Sequence, residues 1–126
     1  IKQAITKDTK MIVMTHASNV TGEMFDIQSV GKLCREKGIL FVVDTAQSAG
    51  VIPISMKEDN IDILCFTGHK GLMGPQGIGG ICIDPSVKNR WNRNLIIFEN
   101  TARSAATGIG SRNIKWDRNR RTWGSD

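Results

Sequence analysis

Ile39-Leu40-Phe41-Val42-Val43 is apolar at every position and rich in β-branched residues. A run of that kind, too short for a helix and without polar alternation, predicts a central strand of a parallel sheet, covered on both faces. Its neighbours agree. Upstream, Ile27, Val30, Leu33 and Cys34 recur at helical spacing, with Asp26 placed as N-cap, Arg35 and Lys37 in the last turn and Gly38 as C-cap. Before that helix, Met11-Ile12-Val13-Met14-Thr15 predicts a second strand buried on both faces. Residues 1–10 have helical composition and read as the end of a further element. Downstream, Ile61 to Phe66 and the shorter Gly80-Ile81-Cys82-Ile83 predict two more strands. Strand, helix, strand, crossover and strand make an α/β class: a mostly parallel sheet with flanking helices and right-handed crossovers. Such sheets bind ligands outside the carboxyl ends of their strands. Asn19, Asp44, Gln47 and Lys70 all fall in those places.

Composition narrows the function classes. The chain of 126 residues is 40% hydrophobic and 23% charged, which is globular, and no apolar run reaches membrane-span length. It carries no cleavable signal pattern and opens without a methionine, as if cut from a longer sequence. Three cysteines, Cys34, Cys65 and Cys82, lie inside apolar segments, which suits free thiols in a reducing, cytoplasmic setting. No CxxC or His/Cys cluster is present, so no metal site is expected. The net charge of +5 is uneven: residues 1–83 hold eight basic and eight acidic side chains, and residues 84–126 hold nine and four. Residues 1–90 therefore read as one partial domain. Residues 91–126 read as a basic tail, disordered or the product of a truncated or shifted reading frame, with Leu95 to Phe98 as one further strand candidate.

The third strand runs into Thr67-Gly68-His69-Lys70-Gly71-Leu72-Met73-Gly74-Pro75-Gln76-Gly77-Ile78-Gly79-Gly80, with one lysine and six glycines in fourteen residues. Glycine at that density lets backbone turn tightly or approach a ligand closely. A lysine set among them is a candidate for Schiff-base chemistry. A lysine bonded to pyridoxal phosphate needs a definite set of companions. An aspartate keeps the pyridine nitrogen protonated, and Asp44 stands at a strand end, where burial would require a cationic partner. A donor belongs beside the phenolic oxygen, and Gln47 or Asn19 supplies one. The phosphate wants hydroxyl and imidazole donors, and Thr67 and His69 flank the lysine. Taken singly, each of these residues has a plainer reading as a cap, turn or structural residue; three successive strand-end loops carrying the whole set do not.

His16-Ala17-Ser18-Asn19-Val20-Thr21-Gly22, Asp44-Thr45-Ala46-Gln47 and Thr67-Gly68-His69-Lys70 together resemble the class V aminotransferase family of pyridoxal-phosphate enzymes, in its cysteine desulfurase and selenocysteine lyase branch. The motifs come in family order over roughly two thirds of the chain. The resemblance implies the central part of the large domain of a type I pyridoxal-phosphate transferase fold. It implies Lys70 as Schiff-base lysine and proton shuttle, Asp44 on the pyridinium, Gln47 on the phenolic oxygen with Asn19 close by, Ala46 against the ring, and Thr67 and His69 on the phosphate. It further implies cysteine as substrate, alanine and a persulfide as products, a homodimeric parent, and a sulfur-acceptor protein as partner. An aminotransferase or a selenocysteine lyase is the alternative within the family. An alternative of another class is a non-catalytic α/β module that uses its basic tail on nucleic acid.

The sequence also departs from the family. The glycine-threonine phosphate loop, the ring-stacking histidine, the carboxylate-binding arginine and the sulfur-accepting cysteine have no counterpart here, and the three cysteines match core positions. The isolated chain is accordingly expected to hold the cofactor poorly. Thr107-Gly108-Ile109-Gly110-Ser111 echoes a family phosphate loop too faintly to assign roles.

Overall fold

Burial along Leu40–Asp44 (β2) organises the sheet: Phe41 and Val43 are fully buried on one face. The computed structural model describes residues 1–87 and two strands, Ile114–Asp117 and Thr122–Ser125. β2 lies between Met11–Thr15 (β1) and Ile63–Thr67 (β3), parallel to both. Gly79–Ile83 (β4) returns antiparallel to β3 across the glycine-rich loop. The sheet order is β1-β2-β3-β4. Helix α1 (Ile27–Lys37) makes the crossover from β1 to β2. It starts where expected, with the Ser29 amide donating to Asp26 Oδ1 at 3.0 Å, and ends on Gly38 in the left-handed region at φ 65°.

The core lies between α1 and one sheet face. Ile27, Val30 and Cys34 of the helix meet Ile39, Phe41, Val43 and Ile61, with Ile12, Met14 and Leu64 packed around them. Burying each large apolar side chain there contributes about 1.5–3 kcal/mol. The second crossover, residues 45–62, has no helix and is folded by its own polar groups. The Ser55 amide donates to Asp59 Oδ2 at 3.0 Å, and the Asp59 amide returns to the Ser55 carbonyl at 2.8 Å. Asp62 then continues the β2–β3 ladder by side chain and backbone together. Its Oδ2 accepts from the Phe41 amide at 2.9 Å, and its own amide donates to the Phe41 carbonyl at 3.0 Å. Arg35 of α1 reaches to 3.9 Å from Asp62 Oδ1.

Three expectations are corrected. β1 is not buried on both faces: Met11 and Val13 are 51% and 61% exposed, because only the face bearing Ile12 and Met14 is covered. Residues 1–10 form a single 3-10 turn, Lys2–Ala4, rather than the end of a helix. Thr9 Oγ1 accepts from the Thr6 amide at 3.0 Å and closes the chain into a second turn there. In residues 101–126, where no regular structure is expected, β5 (Ile114–Asp117) pairs antiparallel with β6 (Thr122–Ser125). The chain divides into two units, Ile1–Asn92 and Arg93–Asp126, and this hairpin belongs to the second. The strand expected at residues 95–98 lies outside the described residues.

α1 and the second crossover touch at Gly31, where a Cβ would run into the Asp59 carbonyl oxygen. Alanine in a helix interior is ordinarily better than glycine by about 1 kcal/mol. Here the contact reverses the sign, and Gly31→Ala is expected to lower stability by about 1–3 kcal/mol in urea unfolding, against little change for exposed Lys32→Ala.

Candidate active site

Parallel register brings the carboxyl ends of three strands to one edge. Thr15 pairs with Asp44, and Asp44 with Cys65, so β3 runs two residues further to Thr67. The strand ends are then laced together. The His16 amide donates to the Asp44 carbonyl at 2.8 Å. Thr45 donates to the Cys65 carbonyl twice, from its amide and from Oγ1, each at 2.8 Å.

The loop after β1 folds back on itself. The Phe25 amide donates to the His16 carbonyl at 2.9 Å, and the Ser18 amide to the Glu23 carbonyl at 2.9 Å. Ser18 Oγ accepts from the amides of Val20 and Thr21, each at 3.2 Å, and Gly22 turns the chain at φ 71°. Asn19 is exposed at the tip of this loop. After β2, Asp44 Oδ1 accepts from the Ala46 amide at 2.9 Å, and helix-like turns carry half-buried Ala46 and Gln47. Asp44 is exposed, contrary to the expectation of a buried carboxylate with a cationic partner. It is the last residue of β2 on the face that α1 does not cover, so water solvates it.

After β3 the glycines do what their density predicts. The Gly68 amide donates to the Ile78 carbonyl at 2.6 Å, the Gly74 amide to the Gly68 carbonyl at 2.7 Å, and the Met73 amide to the Lys70 carbonyl at 2.8 Å. Gly71 lies directly against the β2 loop: a Cβ there would meet the Ala49 carbonyl oxygen at 2.5 Å. Gly50, at φ 83°, lies against Gly71 in the same way, at 2.7 Å. Backbone-to-backbone approach of this kind admits no side chain. The result fixes the backbone of Lys70 while leaving the side chains of Lys70 and His69 exposed. Thr67 Oγ1 is buried and makes no hydrogen bond among the described residues. Buried hydroxyls are seldom left so, and each costs roughly 1–3 kcal/mol until a partner arrives. An orphan hydroxyl beside an exposed imidazole and an exposed amine is a donor set for an anionic ligand.

Two residues of the site region went unassigned in the sequence. His16 and Ser48 are buried, with His16 Nδ1 at 2.9 Å from Ser48 Oγ. Burial pulls the His16 pKa below its ordinary value, partly opposed by the charge of Asp59. His16 stood within the first strand-end motif, but nothing in sequence paired it with Ser48, 32 positions away. Cys65 is half-buried. Its thiol is pushed up by burial, then by the negative charge of Asp44 beside it and by Cys82, so it stays protonated. Among the described residues no cluster of His, Cys, Asp and Glu could hold a metal, and no helix is long and apolar enough to cross a membrane.

Comparison with known proteins places the chain in a family. Residues 1–114 match the family Aminotransferase class-V, and the chain belongs to that family. It is 41% identical over 83 residues to cysteine desulfurase IscS of Shewanella baltica (strain OS223), covering 66% of this chain and 20% of that protein. The chain thus spans about a fifth of the length of the curated relatives it matches. Among solved structures it resembles the apo cysteine desulfurase of Thermococcus onnurineus NA1, at 39% identity and TM-score 0.63, covering 67% of this chain and 21% of that one. It also resembles SspA in complex with cysteine, at 31% identity and TM-score 0.65, covering 71% and 25%. The mostly parallel sheet is that of the type I transferase fold of this family.

The lowered pKa of His16 carries a stability consequence. Between the folded value and the unfolded 6.5, the unfolded chain binds the proton and the folded chain does not. The contribution of neutral His16 is therefore complete above 6.5 and is lost as pH falls through and below it. The urea midpoint is expected to drop between about pH 7.5 and 5.5 in the unmodified chain and to stay nearer level in His16→Phe. Asp26 and Asp84, both lowered first by hydrogen bonds to Ser29 and Ser86, lose their contributions only as pH falls below 3.8.

Proposed function

We propose that this chain carries the lysine-bearing part of a pyridoxal-phosphate-dependent cysteine desulfurase. The observation that carries the reading is the packing of the Lys70 loop against the loop after Asp44 through Gly50 and Gly71 at the carboxyl ends of adjacent parallel strands. The donor set fits the cofactor. Thr67 Oγ1, which has no hydrogen-bond partner among the described residues, and His69 would donate to the phosphate. Asp44 accepts from the protonated pyridine nitrogen. Gln47 donates to the phenolic oxygen with Asn19 beside it, and Ala46 packs on the ring face. Pyridoxal phosphate, when bound, withdraws electrons from the substrate α-carbon.

The remaining work belongs to the protein. Lys70 would hold the cofactor through its side-chain amine and would move the proton at the substrate α-carbon. Its exposure leaves the amine free to do both, while the glycine-bound backbone keeps it in place. With cysteine as substrate, an acceptor thiolate would attack the sulfur and leave with it as a persulfide, the electron pair of the broken carbon–sulfur bond would stay on carbon, and a proton taken up there would complete alanine. Both the sequence relatives named as cysteine desulfurases and the structural relative solved with cysteine support that substrate. The proposed reaction calls for a sulfur-acceptor partner whose thiol receives the sulfur; the free cysteines fit a reducing, cytoplasmic setting, and a homodimer belongs to the same proposal. An aminotransferase is the second reading, since ureidoglycine-glyoxylate aminotransferase of Bacillus subtilis is also similar, at 27% identity and TM-score 0.61. Release of alanine from cysteine, against formation of a keto acid, separates the two.

The test is site-selective labelling. The chain is incubated with pyridoxal phosphate, reduced with borohydride, digested and mapped by mass spectrometry. Lys70 is expected to take most of the label among nine lysines, and Asp44→Ala to reduce that share several-fold, about 1 kcal/mol of lost pairing. Label spread evenly over the exposed lysines, both in this chain and in a longer parent that carries it, would sink the assignment.

A further inference from the structure

We propose that His16 and Ser48 form a clamp that sets the spacing between the Asn19 loop and the Gln47 loop, which makes His16 a positioning residue for the cofactor site. The inference deepens the reading above and rests on it for what the clamp is for, though not for whether the clamp exists.

Both partners are buried, His16 at 4% exposure and Ser48 at 0%, and the Nδ1–Oγ distance is 2.9 Å. The bond joins the first residue after β1 to the fourth residue after β2. Backbone hydrogen bonds already fix both ends. The His16 amide is bound to the Asp44 carbonyl, and its carbonyl accepts from Phe25. The Ser48 amide donates to the Thr45 carbonyl, and its own carbonyl accepts from Val51 and Ile52. The side-chain bond therefore lies between two anchored points. His16 is three residues before Asn19, and Ser48 is next to Gln47. Two residues beyond Ser48, Gly50 presses on Gly71, which adjoins Lys70. A continuous run of contacts thus leads from the Asn19 loop through His16, Ser48 and Gly50 to the lysine.

The chemistry of the pair explains why it is polar. An apolar pair of similar size would fill the space without fixing a distance. A buried imidazole and hydroxyl must meet in one geometry, because either left alone is an orphan in a low-dielectric site. The pair consequently holds two loops at one separation.

The test compares His16→Phe, Ser48→Ala, their double variant and His16→Asn, whose amide reaches toward the position of Nδ1. Amide hydrogen exchange is followed in peptides covering residues 17–22, residues 45–50 and, as control, α1. Lys70 labelling by pyridoxal phosphate and borohydride is followed in parallel. Each single variant is expected to speed exchange in both loops by about tenfold, with α1 unchanged. The double variant is expected to be no worse than either single, since no orphan remains, and His16→Asn to recover much of the protection. Lys70 labelling should slow in the same order. Exchange that rises only in the loop carrying the substitution, or single effects that add in the double variant, would overturn the clamp. So would a loss of protection in α1 that keeps pace with the loops, which marks ordinary core packing. Ser48→Ala decides the matter if His16→Phe does not fold. If neither the unmodified chain nor a longer parent that carries it shows a preference for Lys70, the cofactor reading fails, and exchange in the two loops still decides the clamp.

Discussion

Parallel pairing of β1, β2 and β3 in one register is the constraint on which the molecule depends. It is held at both ends of the β2–β3 pair by side chains as well as backbone. At the amino end Asp62 spends a carboxylate oxygen on the Phe41 amide, and at the carboxyl end Thr45 donates twice to one carbonyl. A slip of one residue would exchange the two faces of a strand. Phe41 and Val43 would leave the core, and Asp44 would turn toward α1, where an unpaired carboxylate is costly. The register that keeps the core dry is therefore the one that gathers the polar loops at one edge.

Above the strand ends the site is built from backbone. Gly50 and Gly71 meet without side chains, Gly68 folds under Ile78, and a Cβ on Gly79 would meet the Phe66 carbonyl oxygen at 2.6 Å. Met73, at φ 57° and almost wholly exposed, stores a little strain in the same loop. Backbone contacts of this sort leave few soft torsions, so the loop is stiff while its functional side chains stay free. On the proposed reading, that division suits a lysine that would hold a ligand in one place and release it during reaction.

The order and kind of elements were legible because they rest on local signals: the apolar run of β2, the Asp26 and Gly38 caps of α1, and the glycines after β3. What escaped the sequence depends on which surfaces meet. The burial of β1 was overestimated because five apolar residues read alike whether one or two faces are covered. The burial of Asp44 was overestimated for the same reason. The His16–Ser48 pair was invisible because a buried hydrogen bond between positions 32 apart has no periodic signature. The hairpin of β5 and β6 was passed over because Ile114-Lys115-Trp116-Asp117 offers only two alternations amid arginine and asparagine.

The open face of the sheet bears on how Asp44 works. Thr15, Asp44, Cys65 and Thr67 share by alternation the face that carries Met11, Val13, Ile81 and Ile83, all exposed apolar residues. A parallel sheet is ordinarily covered on both sides. While that face is open at Asp44, the charge is solvated, and among the described residues it forms no ion pair. Anything flat and cationic that settles on the face at this end removes water from the carboxylate and supplies the charge that dehydration demands, in one event. A protonated pyridine ring is such a group. On the proposed reading, the exposure of Asp44 is the binding-ready condition of the site. The strength of the pairing then grows with how completely the ring excludes water, because the same two charges attract far more strongly in a low-dielectric setting than in solvent.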